Sequence, residues 1–337
     1  MSSGNLYGDA SQLNVPATGP RPHYDLRPLS TGEVLDRTFQ VYRSHFALFA
    51  GLALLPAAVN VVTGALRLLY ATHQDTHVHV GAALYRVQII TGTLAFVAAL
   101  ISLVLYGITQ AATTWAVSAV YLGEPASIRT SYSFAFRHWF RYTLIVLRQA
   151  WTAMWLPMSL IIAGTVFTPF GRRNPTLSWI AIALFVCAAL ALIYGVWAYL
   201  RVSLAVPAAV VESLRTGAAM KRSTQLLASR KVRVFLLFLL LMALYLVVGV
   251  IQSPLVILAV RMRGVHAFIT QATNLGVGFI AATLIGPVGA IGLCLFYFDE
   301  RVRREGFDIE WMMKKLAPAA AAPQPPSNAQ QNSAEPI

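Results

Sequence analysis

The sequence predicts an all-α fold, a polytopic membrane bundle of six transmembrane helices with amphipathic cytoplasmic helices at its interface. Three observations predict it. Hydrophobic residues make up 57% of the 337 and charged ones only 12%, against about 25% charged in soluble domains, so too few ionic groups remain to cover a water-facing surface. Six apolar stretches, residues 47–69, 89–111, 149–168, 178–200, 234–259 and 270–298, are each near or above the roughly 20 residues that cross a hydrocarbon core about 30 Å thick. None alternates with the period of two that a barrel strand requires, and a helix satisfies its own backbone in lipid.

From the N-terminus, residues 1–26 are rich in Gly, Ser, Pro and Asn and have no apolar periodicity. They lack the basic-then-apolar pattern of a cleaved secretory signal and read as a disordered tail. Residues 27–316 form the membrane domain. Its first element opens at Ser30, which makes a capping box with Glu33. Leu35, Phe39, Tyr42 and Phe46 then recur at helical spacing, with Asp36, Arg37, Gln40 and Arg43 around the rest of the circle. This interfacial helix leads into the first hairpin of spans. Ile128, Tyr132, Phe136 and Trp139 repeat the spacing among Arg129, Arg137 and Arg141, ahead of the second hairpin. A third basic segment, residues 212–233, is more polar but again helical, and precedes the third hairpin. The chain thus reads as three successive units of one interfacial helix and one transmembrane hairpin. Residues 317–337 (APAAAAPQPPSNAQQNSAEPI) cannot bury enough apolar surface to offset ordering and form a second disordered tail.

Arginine and lysine set the orientation. Of the 26 basic residues, only Arg67, Arg86, Arg172, Arg173, Arg261 and Arg263 are expected on one side of the bundle. The other twenty fall on the side of the three interfacial helices. The sequence therefore predicts a multi-pass protein of the bacterial cytoplasmic (inner) membrane with cytoplasmic N- and C-termini. The net charge of +13 is then the topology signal itself, and no nucleic-acid partner is expected. The expected partners are membrane lipids with anionic headgroups, together with a protein partner or a second copy of the chain.

Short motifs run through these basic segments. They are Arg27-Pro28-Leu29-Ser30, Gly32-Glu33-Val34-Leu35-Asp36, and Tyr42-Arg43 ahead of Phe46. Further on come Pro207-Ala208-Ala209-Val210-Val211-Glu212 and Ala218 with Lys221-Arg222-Ser223. Tyr297-Phe298-Asp299 leads into Arg301-Val302-Arg303-Arg304-Glu305-Gly306-Phe307-Asp308. Across most of residues 27–310 the chain resembles the bacterial family named after the membrane domain of glycerophosphoryl diester phosphodiesterase. The resemblance implies a multi-span domain, sometimes fused to a soluble phosphodiesterase and often found alone, with no established chemistry. No such soluble domain is present in these residues, so the resemblance carries over no catalytic residue.

Pro56, Pro157, Pro207, Pro254 and Pro287 fall in five of the spans or their extensions, and each removes a backbone donor. Discontinuous helices around a solute would use them. The preferred reading is that neighbouring groups re-satisfy the freed carbonyls. Gly276, Gly278, Gly286, Gly289 and Gly292 surround Pro287 and let helix backbones approach, inside the bundle or against a second copy. Polar groups within the spans, Asn60, Gln110, Gln252, Gln271 and Asn274 among them, are of the kind that ties helices together. No Asp or Glu is expected at mid-membrane, which removes the commonest proton or cation relay. Arg148 and Arg201 are the only charges expected to intrude. Arg201 either snorkels beside Trp197 and Tyr199 or forms a buried pair with Glu212 or Asp299. Arg222 and Arg301 complete the set of structural or functional candidates at that face.

His73, Asp75, His77 and His79 have the spacing to gather Zn²⁺ or Cu²⁺, but a solvated loop without cysteine accounts for them better. Cys187 and Cys294 both sit in apolar runs, so no metal site, disulfide or cofactor is expected. A nucleophile elbow, a phosphate loop, a zincin motif and paired phosphotransfer aspartates are all missing from the sequence. The expected function is that of a non-catalytic integral membrane protein that organises lipid headgroups or docks a partner through its basic helices. The alternative is a transporter or channel for a small or lipid-like solute. A cavity lined by Asn60, Gln110 and Gln252 would favour that alternative, and a dry bundle would count against it.

Overall fold

The computed structural model describes residues 29–74, 82–171, 174–228, 231–261 and 265–306. The expected tails at 1–26 and 317–337, and Asp75, His77 and His79, lie outside the described residues, while His73 falls in a last helical turn. The described elements are all helical: α1 (Thr31–Ser44), α2 (Phe46–Gln74), α3 (Ala82–Leu122), α4 (Ile128–Arg137), α5 (Trp139–Gly171), α6 (Pro175–Val202), α7 (Ala205–Val211), α8 (Thr216–Leu226), α9 (Lys231–Arg261) and α10 (Val265–Glu305). Six of them, α2, α3, α5, α6, α9 and α10, are long and apolar enough to cross a membrane. The protein is an all-α polytopic bundle.

Three helices run well past the expected spans at the basic end. α3 continues to Leu122, beyond the expected 111; α5 begins at Trp139, ahead of 149; α10 continues to Glu305, past 298. At 1.5 Å per residue the 41 residues of α3 reach about 61 Å, twice a hydrocarbon core. Arg141, Arg148 and Gln149 lower the local hydropathy without interrupting the helix, which is why the apolar pattern alone starts α5 late. The projecting ends pack with α1, α4, α7 and α8 into a cap. The largest fully buried side chains, including Tyr142, Tyr297, Phe49, Phe296 and Phe298, lie in this cap, where Tyr121 stacks on Phe298 at 5.4 Å. α10 is the central helix: 61% of its most apolar window is buried, against 6% for α3.

The first two helix-plus-hairpin units share their local geometry. α1 opens with a capping box between Ser30 and Glu33, and α4 with one between Ser127 and Thr130. Each ends in the same corner, at His45 (φ −124°, ψ 39°) and at His138 (φ −131°, ψ 33°), where the chain turns into a span. The third short helix, α8, follows Arg215 without a side-chain cap. α1 buries Val34, Thr38 and Val41 and exposes Phe39 and Arg43; α4 buries Ser131 and Ala135 and exposes Phe136 and Arg137.

The spans run unbroken through their prolines. Pro56 cannot donate to the Leu52 carbonyl, and the Tyr132 hydroxyl of α4 donates to it instead, at 2.5 Å. Pro254 frees the Val250 carbonyl, which accepts from Ser253 Oγ at 2.9 Å. Pro157 frees the Ala153 carbonyl, which fills the space beside Gly195 where a Cβ would sit only 2.4 Å from it. Neighbouring groups therefore replace the missing donors at Pro56 and Pro254, as the preferred reading requires. The glycine stripe of the last span is only partly used for packing. Gly292 and Gly289 face Leu237 and Leu241 of α9, but beside Gly276 and Gly286 the space is open.

Candidate functional site

Two constellations of polar side chains occupy opposite regions of the bundle. The first is an ionic clasp in the cap. Asp299 and Glu300 are 4% and 1% exposed near the end of α10, and a buried carboxylate requires a close cation and donors. Arg233, in the first turn of α9, donates to Asp299 Oδ2 at 2.7 Å, to Glu300 Oε1 at 3.2 Å and to the Leu29 carbonyl at 2.7 Å. The Leu29 N–H donates to Asp299 Oδ1 at 2.7 Å. Arg303, one turn along α10, bonds both Asp299 oxygens at 3.1 Å and also the Leu29 carbonyl. Arg304 approaches the other Glu300 oxygen at 3.5 Å.

A second knot adjoins it. Glu212, just past α7, accepts from Arg222 Nε at 3.0 and 3.1 Å and from the Tyr297 hydroxyl. Arg222 reaches on to Glu305 at 2.6 Å, and Arg301 joins Glu305 at 3.2 Å and stands 3.8 Å from Glu212. Burial works against the Arg222 cation, but its bonds to Glu305 and Glu212 outweigh that and hold its pKa above the ordinary value. Ser223 ties the break between α6 and α7, accepting from the Leu204 N–H at 3.1 Å and donating to the Arg201 carbonyl at 3.0 Å.

Of the expected site residues, Glu212, Arg222, Asp299 and Arg301 belong to the clasp. Arg201 does not, which corrects the buried-pair alternative. Its side chain is exposed and lies over the Trp197 ring, 4.7 Å from the centroid, because α8 and α9 bring Arg222 and Arg233 to the two carboxylates first. Arg233 and Glu300 lie outside every motif and candidate set of the sequence. The i,i+4 spacings Asp299–Arg303, Glu300–Arg304 and Arg301–Glu305 are a local signal for part of the clasp. Nothing local points to Arg233, whose partners are 66 to 204 residues away.

The second constellation is a groove between α2, α3, α9 and α10. Three cavities of 220, 300 and 490 Å³ adjoin along it, sharing Ala57, Asn60 and Ala282 at one junction and Asn274 and Leu275 at the next. Small residues (Ala53, Ala57, Gly278, Ala282, Gly286) leave the space, and Pro287 lines it next to the open side of Gly286. From the cap toward the far end the polar wall runs through Thr113, Gln110, Tyr106, Tyr245, Asn60, Gln252, Asn274, Gln271 and Arg67. Along α2 this covers Ala53 to Leu68, about 22 Å.

Several of these groups are engaged within the wall. Ser102 donates to Asn60 Oδ1 at 2.7 Å, Gln110 to the Tyr106 hydroxyl at 2.8 Å, and Gln252 to the Asn274 carbonyl at 3.4 Å. Two are not. Asn274 Oδ1 and Arg67 Nε are buried with no hydrogen-bond partner, although Arg67 also donates to the Ala95 carbonyl at 3.3 Å. Arg67 therefore lies within the first span and faces the groove, a charge beyond Arg148 and Arg201, the only two expected to intrude. On α2 the Cα–Cβ bonds tilt back toward the cap, which directs Arg67 into the bundle rather than out to the far headgroups. No described carboxylate pairs with it. Hydroxyls, amides and one cation along an apolar channel can hold water or an acceptor-rich solute.

Comparison with protein-family models, with curated proteins and with solved structures returns no match.

Proposed function

We propose that the chain is a non-catalytic, multi-span membrane protein that takes a small anionic or lipid-like solute into the groove between α2, α3, α9 and α10. One observation carries this reading: the polar wall ends at Arg67 and Asn274 with a buried donor and a buried acceptor left without partners. A bundle that needs only to hold together gains nothing from such groups, since each costs about 1–3 kcal/mol unsatisfied, and an unpaired ionisable residue in a span is a functional signal. The wall includes Asn60, Gln110 and Gln252, the residues that separate a solute-handling bundle from a dry one. The test is binding of lysophosphatidic acid to the purified chain in detergent, read by thermal shift. Arg67→Gln is expected to weaken binding about tenfold or more, and Ala282→Phe to block it. Wild-type affinity in both variants would sink the reading.

A second role is supported by the surface of the cap. α1 and α4 expose Phe39, Phe46, Phe136 and Trp139 beside Arg43 and Arg137, the composition of helices lying on an anionic leaflet, where they would organise headgroups or dock a partner. The basic excess favours a bacterial inner membrane with this end, and both termini, in the cytoplasm. The motif resemblance to the glycerophosphoryl diester phosphodiesterase membrane domain supports the same bacterial setting. Ser133→Cys, in a chain with Cys187 and Cys294 replaced by Ala, is expected to react with a membrane-impermeant maleimide in inverted vesicles and not in right-side-out ones. Labelling with the opposite sidedness would overturn the orientation.

A further inference from the structure

On another face of the bundle, a cleft of 440 Å³ opens between the α5–α6 hairpin and α9. Its walls are aliphatic, aromatic and thioether side chains, Met154, Leu192, Phe238 and Met242 among them. α6 and α9 run antiparallel, so Leu200 and Phe235 bound the cleft at the cap end and Leu192 and Met242 lie toward the middle of the spans. The eight helical steps from Leu192 to Leu200 make it about 12 Å long, directed along the spans as an acyl chain lies.

Two cations stand level with the cap end of this cleft. Arg201 follows Leu200, and Lys231 sits one turn before Phe235. Their charged ends stand over the Trp197 ring, 4.7 and 4.6 Å from its centroid, and a tryptophan on a span marks headgroup depth. Among the described residues, the clasp neutralises Arg222, Arg233 and Arg303, whereas neither Arg201 nor Lys231 has a carboxylate within ion-pair distance. Unneutralised cations above an apolar slot match one kind of occupant. We propose that the cleft between α5, α6 and α9 holds a single anionic phospholipid, its phosphate between Arg201 and Lys231 and one acyl chain in the slot. A free phosphate would meet the cations but gain nothing from the slot. A zwitterionic lipid would fill the slot but bring a positive group to the cations.

Native mass spectrometry of the full chain, released from micelles containing dioleoyl phosphatidylglycerol or dioleoyl phosphatidylcholine, tests this. One phosphatidylglycerol is expected to remain bound, with phosphatidylcholine held about thirtyfold more weakly. The R201Q/K231Q variant loses the preference, and the charge-exchanged R201K/K231R variant keeps it. So does R215Q/K221Q, which removes two exposed cations at α8 as a control for general surface charge. L239W fills the slot and releases both lipids. Inorganic phosphate at millimolar concentration leaves the bound lipid in place. The proposal is overturned by equal retention of the two lipids, by a preference that survives R201Q/K231Q, or by a preference lost equally in R215Q/K221Q or R201K/K231R. Displacement of the lipid by phosphate, or lipid retention in L239W, overturns it as well.

Discussion

The clasp in the cap and the groove between the spans are both built from polar side chains in a mostly apolar chain, and around Asp299 and Arg67 they treat those side chains in opposite ways. Around Asp299, two guanidinium groups and a backbone N–H converge on one carboxylate at 2.7–3.1 Å. Along the groove, Arg67 keeps its Nε without a partner, and Asn274 does the same with its amide oxygen. Paired buried charge specifies how helices meet; unpaired buried polarity leaves bonding capacity for something else. Substitutions at the two places should therefore change stability with opposite signs.

The largest expected effect is in the clasp. Asp299→Ala leaves Arg233, Arg303 and the Leu29 N–H facing one another, and should cost about 3–5 kcal/mol, read as a lower thermal midpoint in detergent. A near-neutral result would mean that the clasp does not hold α1 and α9 to α10. The next is where cap and groove meet. Tyr132→Phe removes the donor to the carbonyl freed by Pro56 and should cost about 1–2 kcal/mol. Adding Pro56→Ala restores a backbone donor, so the double variant should recover most of that loss in a double-mutant cycle.

In the groove the sign reverses. Asn274→Leu removes an unpartnered acceptor and should leave solute-free stability unchanged or raise it by about 1 kcal/mol, while solute binding falls. A loss of stability on the scale expected for Asp299→Ala would erase the distinction between the two regions. The smallest effect is at Arg222. Its raised pKa keeps the pair with Glu212 and Glu305 charged throughout the accessible alkaline range. Arg222→Lys should cost about 0.5–1 kcal/mol at neutral pH. A lysine there starts from an unfolded value of about 10.4, so its remaining contribution is fully present below that and fades as pH rises through its folded value. Thermal midpoints of the two chains should diverge further from about pH 9 to about pH 11, and parallel curves would contradict the pairing.

Much of the fold could be read directly from the chain. The six spans, the capping box at Ser30 and Glu33 and the amphipathic α1 and α4 all follow from patterns within one or two turns or one span length. Glu212, Arg222, Asp299 and Arg301 could be named because basic and acidic residues are scarce in this sequence and cluster at helix ends. Their pairing could not be read. Nor could it be read that Arg67 faces a groove, because an arginine near the end of an apolar run looks the same whether it faces headgroups or a groove.

By itself, the sequence determined that this is a helical membrane bundle with one strongly basic end, because hydropathy and backbone satisfaction in lipid act residue by residue and need no knowledge of neighbours. Only the tertiary structure decided that Arg233 and Arg222, not Arg201, neutralise the carboxylates, and that small residues on α2 and α10 stand apart to leave a polar groove. The reason is distance along the chain: Leu29 and Asp299 bond across 270 residues. Which helix ends meet there is set by the packing of the bundle, which no local pattern records.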